Sequence, residues 1–161
     1  MDIKKLLKKY INDNIKEHRI CRKASAKQML GDFACYEEVS INKYINDSKE
    51  DNTFQTELFS YIDKKGLKDS DVYNKVNIDR RLFSKIRSDK NYHPSKETVI
   101  LLGISLELTE QEIESLLEKA SYSLPKNNEY DLIIRFCFKE KIYDINTINT
   151  FLYDYNLKTL N

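Results

Sequence analysis

The chain has 161 residues, of which 40% are hydrophobic and 33% charged, with three Gly, two Pro and a net charge of +1. That length suits one domain, or one small domain with an appendage; so few Gly and Pro favour long helices over hairpins, and no apolar run approaches the roughly 20 residues of a membrane span. Cys21, Cys35 and Cys137 are odd in number and widely spaced, which argues against a disulfide framework and suits a reducing compartment.

Residues 1–10 lack the apolar core and cleavage site of a signal peptide, so a cytoplasmic protein is expected. In residues 2–17, Ile3, Leu6, Leu7, Tyr10, Ile11 and Ile15 recur at helical spacing, with Lys4, Lys5, Lys8, Lys9 and Lys16 largely opposite. The spacing predicts an amphipathic helix whose apolar face needs a partner, either the rest of the chain or a second subunit. A helix lying on a membrane surface has the same pattern, but packing within a protein is the commoner outcome and the one expected. Arg19, Arg22, Lys23 and Lys27 extend a basic stretch, nine basic against three acidic residues over 1–30. Residues 31–53 reverse that balance, with six acidic and two basic. A short helix around Glu37 to Ile45 and a polar linker at Asn46 to Asn52 are expected there. Residues 1–52 thus read as an N-terminal basic amphipathic helix followed by a variable segment.

From Thr53 the helical signals sharpen. Thr53 caps a helix burying Phe54, Leu58, Tyr61 and Ile62, and Gly66 ends it in the left-handed conformation. Asp69 is expected to cap a short helix with Val72, Tyr73 and Val76 inward. Asn77 and Ile78 make a tight corner, because Asn tolerates the left-handed region. Asp79 caps the next helix, which buries Leu82, Phe83 and Ile86 and leaves Arg80, Arg81, Ser84 and Lys85 outside, with Arg87, Ser88 and Lys90 following. Two short helices joined by such a corner read as a helix-turn-helix, and the outward residues have the chemistry of a helix in a major groove. After the loop Asp89 to Pro94, Ser95 caps a helix with Val99, Leu102 and Leu106 inward. Thr109 and Glu112 form a capping box for a helix carrying Ile113, Leu116 and Leu117. Two more helices follow: Asn128 to Lys139, with Tyr130, Ile133, Ile134 and Cys137 inward, and one from Asp144 burying Ile145, Ile148, Leu152 and Tyr155.

These residues carry a resemblance. Residues 54–121 resemble the lambda-repressor-like (Cro/repressor type) helix-turn-helix domain. The helix pair, the loop ending in Pro94 and Ser95, the helix Thr98 to Leu106 and the run Leu108-Thr-Glu-Gln-Glu-Ile113 are similar to its second to fifth helices. A wider resemblance spans Phe54 to Leu160. The string Asp71-Val-Tyr-Asn-Lys-Val-Asn-Ile-Asp-Arg-Arg-Leu-Phe-Ser-Lys-Ile-Arg-Ser88, with Tyr130-Asp-Leu-Ile-Ile134 and Ile142-Tyr-Asp-Ile-Asn146, is similar to a Firmicute-type helical module often found at the C-terminus of larger proteins. The fifth motif position, usually Ala where the helices cross, is Tyr73, and the ninth, usually Gly, is Asn77. The resemblance implies an all-α protein: a five-helix repressor-like domain over 53–124, preceded by the N-terminal helix and followed by a helical pair over 125–161 packed on it.

Two functions are weighed on this basis. In the first, the protein is a regulator that binds double-stranded DNA. Arg80, Arg81, Ser84 and Lys85 face bases, Arg87, Lys90, Tyr92, His93 and Lys96 meet phosphates, and Arg19, Arg22, Lys23 and Lys27 assist. In the second, the helix-turn-helix shape serves protein binding without specific DNA readout, as an adaptor or a mobile-element inhibitor of a bacterial defence complex. Eleven basic against twelve acidic residues over 54–124, and Asp69 and Asp71 at the start of the first motif helix, favour the second. Repressor-like domains usually act as two-fold dimers, so a homodimer contact is expected on one of two spare apolar surfaces, the first helix or the C-terminal pair carrying Ile133, Ile134, Ile148 and Leu152, the pair being preferred. No cofactor, metal or catalytic group is expected. Gly31, Gly66 and Gly103 stand alone rather than in a phosphate-cradling loop, and His18 with Cys21 and Cys35 lacks a fourth ligand and zinc-like spacing. Arg87 and His93 share the Arg-x5-His spacing of some helical ribonucleases, but fall at a helix end and a loop.

Overall fold

The computed structural model describes residues 3–24 and 53–160, with side chains over 3–13 and 53–160. The helix expected around Glu37 to Ile45, the linker at Asn46 to Asn52 and Lys27 lie outside the described residues, as do the side chains of Arg19, Arg22 and Lys23.

Among the described residues the chain forms eight helices and no strand. They are α1 (Ile3–Ala24), α2 (Phe54–Lys65), α3 (Asp69–Lys75), α4 (Arg80–Ser88), α5 (Lys96–Ser105), α6 (Glu110–Lys119), α7 (Glu129–Lys139) and α8 (Ile145–Asp154). Their starts follow from short polar side chains. Thr53, Asp79, Ser95, Thr109, Asn128 and Asp144 each accept a backbone N–H of the following first turn. The start of α3 differs from the expected cap at Asp69. Lys68 holds the cap position, its N–H donates to Asp71 Oδ2 at 3.2 Å, and Asp69 is already helical. An acidic residue at the third helical position reaches back to the cap N–H, as in a capping box, which displaces the boundary by one residue. The first helix also outruns its expected end at Glu17, because no Gly or Pro interrupts residues 18–24.

Six helices end alike. Gly66, Asn77, Glu107, Ser121, Lys141 and Asn156 all take positive φ, between 48° and 62°. In each case the next residue sends its N–H back to a carbonyl five residues earlier, as Leu67 does to Ile62 and Ile142 to Cys137. This 6→1 bond closes the helix, and the apolar side chain that follows is turned back toward the last turns. Only the first of the six uses glycine.

At the centre lies α5, of which Thr98 to Ser105 are all buried, as befits a helix apolar around its whole circumference. Gly103 lets two neighbours close on it. A Cβ there would collide with Ile113 Cδ1 of α6 and stand 3.2 Å from Phe138 Cζ of α7. On another side, Ser105 Oγ donates to the Val72 carbonyl at 2.6 Å, fastening α3 to α5. A single core runs from Leu7 to Leu160.

The N-terminal helix packs within the chain, on α7. Leu7 and Ile11 are buried, Tyr10 meets Phe136 with ring centroids 5.5 Å apart, and Lys4 pairs with Asp154 of α8 at 2.7 Å. This corrects the surface expected for a homodimer. Ile133, Ile134, Ile148 and Leu152 have no exposure at all, because helices of the same chain cover them. The apolar content that looked surplus to one face is used on two. No described helix is long and apolar enough to cross a membrane.

Candidate functional site

The polar side of α4 emerges from how its apolar side is held. Phe83 and Ile86 are buried, and Leu82 is half-buried against the same core. Phe83 lies against Tyr73 of α3 at 5.6 Å and, edge-on, Phe59 of α2 at 6.4 Å. The aromatic at position 73 therefore packs at the side of the crossing between α3 and α4, while Asn77 takes φ 54° at the corner. A helix end needs its last carbonyls satisfied. Gln55 Nε2 meets that need on α4, donating to the Ile86 carbonyl at 2.6 Å and the Asp89 carbonyl at 2.5 Å. No local sequence signal marks Gln55, because its partners lie 31 and 34 residues away.

With that side fixed, Arg80, Arg81, Ser84, Lys85 and Arg87 are exposed on one short helix, and Lys90 and His93 on the loop after it. Their partners separate them. Arg80, Arg81 and Lys90 have no ion-pair partner among the described residues. Lys85 Nζ sits 4.7 Å above the half-buried Tyr92 ring, a cation–π contact that leaves the ammonium solvated. His93 stands edge-on to Tyr122 with centroids 5.2 Å apart, and its Nδ1 lies 3.4 Å from the Tyr122 hydroxyl. Arg87 is engaged twice. Its Nη2 donates to Asp69 Oδ1 at 2.5 Å, and its guanidinium carbon lies 4.1 Å above the Phe59 ring.

Lys96 belongs elsewhere. It pairs at 2.5 Å with Asp131, whose side chain is only 5% exposed and also accepts from Asn128 Nδ2 at 2.6 Å. That makes Lys96 part of the α5–α7 contact. Arg80, Arg81, Ser84 and Lys85 are thus brought together on one face with Lys90, Tyr92 and His93 on the adjoining loop, and Lys96 is set apart from them. The local spacing of α4 was enough to find the face. Asp69, Phe59 and Gln55, which hold or engage it, were missed because each acts across the fold.

Among the described residues no group of His, Cys, Asp and Glu is arranged to hold a metal ion. Burial pushes the Cys137 thiol up to about 12, so it is not a ready nucleophile. No protein-family model matches the chain, nor does any curated protein or solved structure, so what α4 can do rests on its own chemistry.

Proposed function

We propose that α2 to α6 form a repressor-like helix-turn-helix domain and that the protein is a regulator binding double-stranded DNA through α4. One observation carries this reading. The exposed face of α4 bears Arg80, Arg81, Ser84 and Lys85, and neither arginine has an ion-pair partner among the described residues. Free guanidinium groups on a helix narrow enough to enter a major groove suit bidentate contacts with guanine, each worth about 1–3 kcal/mol of discrimination. Lys90, Tyr92 and His93, on the loop that leaves α4, lie where backbone phosphates flank such a helix, and the basic stretch at Arg19, Arg22, Lys23 and Lys27 adds sequence-independent attraction. Lys96 is left to its pair with Asp131. A two-fold pair of these domains would use a surface other than the buried Ile133, Ile134, Ile148 and Leu152.

A second reading, protein binding by the same shape, draws on the near-neutral charge over 54–124 and on the Asp69 carboxylate standing against Arg87. Polarisation titrations against labelled duplexes of randomised sequence, repeated across salt, test the first reading. Binding that weakens steeply with salt supports it. Absence of salt-sensitive binding to any duplex, together with a stoichiometric protein partner that survives nuclease treatment, replaces it with the second.

A further inference from the structure

We propose that Asp69 is an internal competitor for the DNA phosphate that Arg87 would clamp, so that this one carboxylate sets how tightly the α4 face holds a duplex. The inference rests on the DNA-binding reading and adds to it a residue that controls affinity. A cleft of about 390 Å³ opens between the first turn of α3 and the exposed side of α4. Lys68, Arg80 and Arg87 line it together with a single acidic residue, Asp69, above an apolar base made by Tyr73 and Phe83.

Arg87 is held in place for an anion. Its guanidinium carbon lies 4.1 Å above the Phe59 ring, which restrains the side chain, and one of its donors is directed to Asp69 Oδ1 at 2.5 Å. A phosphodiester offers the same recognition chemistry as a carboxylate, with one negative charge and two oxygens able to accept the arginine fork. Asp69 therefore stands where a ligand oxygen would stand. The contact contributes little to holding the fold, because both side chains keep substantial exposure, 51% for Arg87 and 37% for Asp69. A duplex lowered onto α4 must either leave Arg87 with Asp69 and lose a phosphate contact, or draw Arg87 away and bring its own charge beside Asp69. Both routes weaken binding, and removing the carboxylate relieves both.

The test uses the full chain and polarisation titrations of randomised duplexes between about 50 and 200 mM salt. Asp69→Asn, with Asp69→Ser as a second variant, is expected to tighten binding about tenfold and to steepen the salt dependence by about 0.9 in log–log slope, one phosphate contact. Arg87→Ala should abolish that gain in the Asp69→Asn background, a coupling that independent charges would not show. Asp71→Asn removes an equal charge from the same turn, but one bonded to the Lys68 N–H rather than to Arg87. It should shift binding less than about threefold. Equal gains from Asp69→Asn and Asp71→Asn, or a gain that survives Arg87→Ala, overturns the inference and leaves Asp69 as one charge among many. Duplex binding by the wild type that Asp69→Asn and Asp69→Ser both leave unchanged removes the inference alone. No duplex binding by any of these proteins removes the DNA-binding reading and the inference with it.

Discussion

Arginine appears on both α4 and α7, and the two helices use it in opposite ways. On α7, Arg135 is mostly buried. It donates to Glu110 at 2.8 Å and to the Leu124 carbonyl at 2.9 Å, and pairs with Glu114. On α4, Arg80 and Arg81 are exposed and have no ion-pair partner among the described residues. The rest of each helix agrees with its arginine. Leu132, Ile133, Ile134, Phe136, Cys137 and Phe138 of α7 are all buried, whereas Phe83 and Ile86 are the only fully buried residues of α4. Counting charge along the chain cannot separate these cases. The charge that matters for a partner is the charge that the fold has not already neutralised, and by that measure the basic face of α4 differs in kind from the cations around α7.

The sharpest way to break the comparison is on the α7 side. Phe136 is 1% exposed and touches Tyr10 of α1, so Phe136→Ala should cost about 3–5 kcal/mol in urea unfolding, as large aromatic deletions in a core do. Alkylation of Cys137, followed by mass spectrometry, should accelerate in the same variant, because burial is what holds its thiol up at about 12. Next in size is Asp131→Ala, which strands Lys96 and the Asn128 amide. We expect a loss of about 2–3 kcal/mol, below the 3–5 of a fully buried pair because Lys96 keeps 27% exposure. If Asp131→Ala instead left stability intact and weakened duplex binding, the separation of Lys96 from the α4 face would be wrong.

Of comparable or smaller size is the effect of Arg81→Ala on the other side. It should lower duplex affinity by about 1–3 kcal/mol while changing thermal stability by less than about 0.5 kcal/mol. A loss of stability without a loss of binding would place Arg81 with Arg135 rather than apart from it. The smallest expected effect sharpens the fold itself. Lys141 closes α7 at φ 56°, a region that suits glycine, so Lys141→Gly should raise stability by about 0.5–1 kcal/mol in thermal unfolding.

What could be read in the sequence was what acts within about four residues. Thr53, Asp79, Ser95, Asp144 and the pair Thr109 and Glu112 each announce a helix start, because a cap bonds to the turn that follows it. Gly66 and Asn77 announce left-handed ends for a similar reason. Glu107, Ser121 and Lys141 take the same conformation without the residue type that advertises it, and the better signal is the apolar Leu108, Tyr122 or Ile142 just after each. On the α4 face, the outward set Arg80, Arg81, Ser84 and Lys85 was legible because helical period alone sorts it from Phe83 and Ile86. Gln55 beneath the Ile86 carbonyl, Asp69 against Arg87 and Asp131 against Lys96 were not, since each joins residues 18 to 35 positions apart. The burial of Ile133 and Ile134 by other helices of the chain belongs to the same class. An apolar stripe says that something covers it, and only packing says what.

The docking of α1 on α7 has a bearing on how the chain is made. Translation produces Leu7, Tyr10 and Ile11 before α7, whose Phe136 meets Tyr10, and the separation is roughly 125 residues. At about 5–20 residues per second that interval lasts on the order of 6 to 25 seconds. For that time the apolar stripe of α1 lacks the helix on which it packs in the folded protein. The lysines on its opposite side, Lys5, Lys8 and Lys9, keep that stripe narrow and the nascent segment soluble while the later helices are still being synthesised.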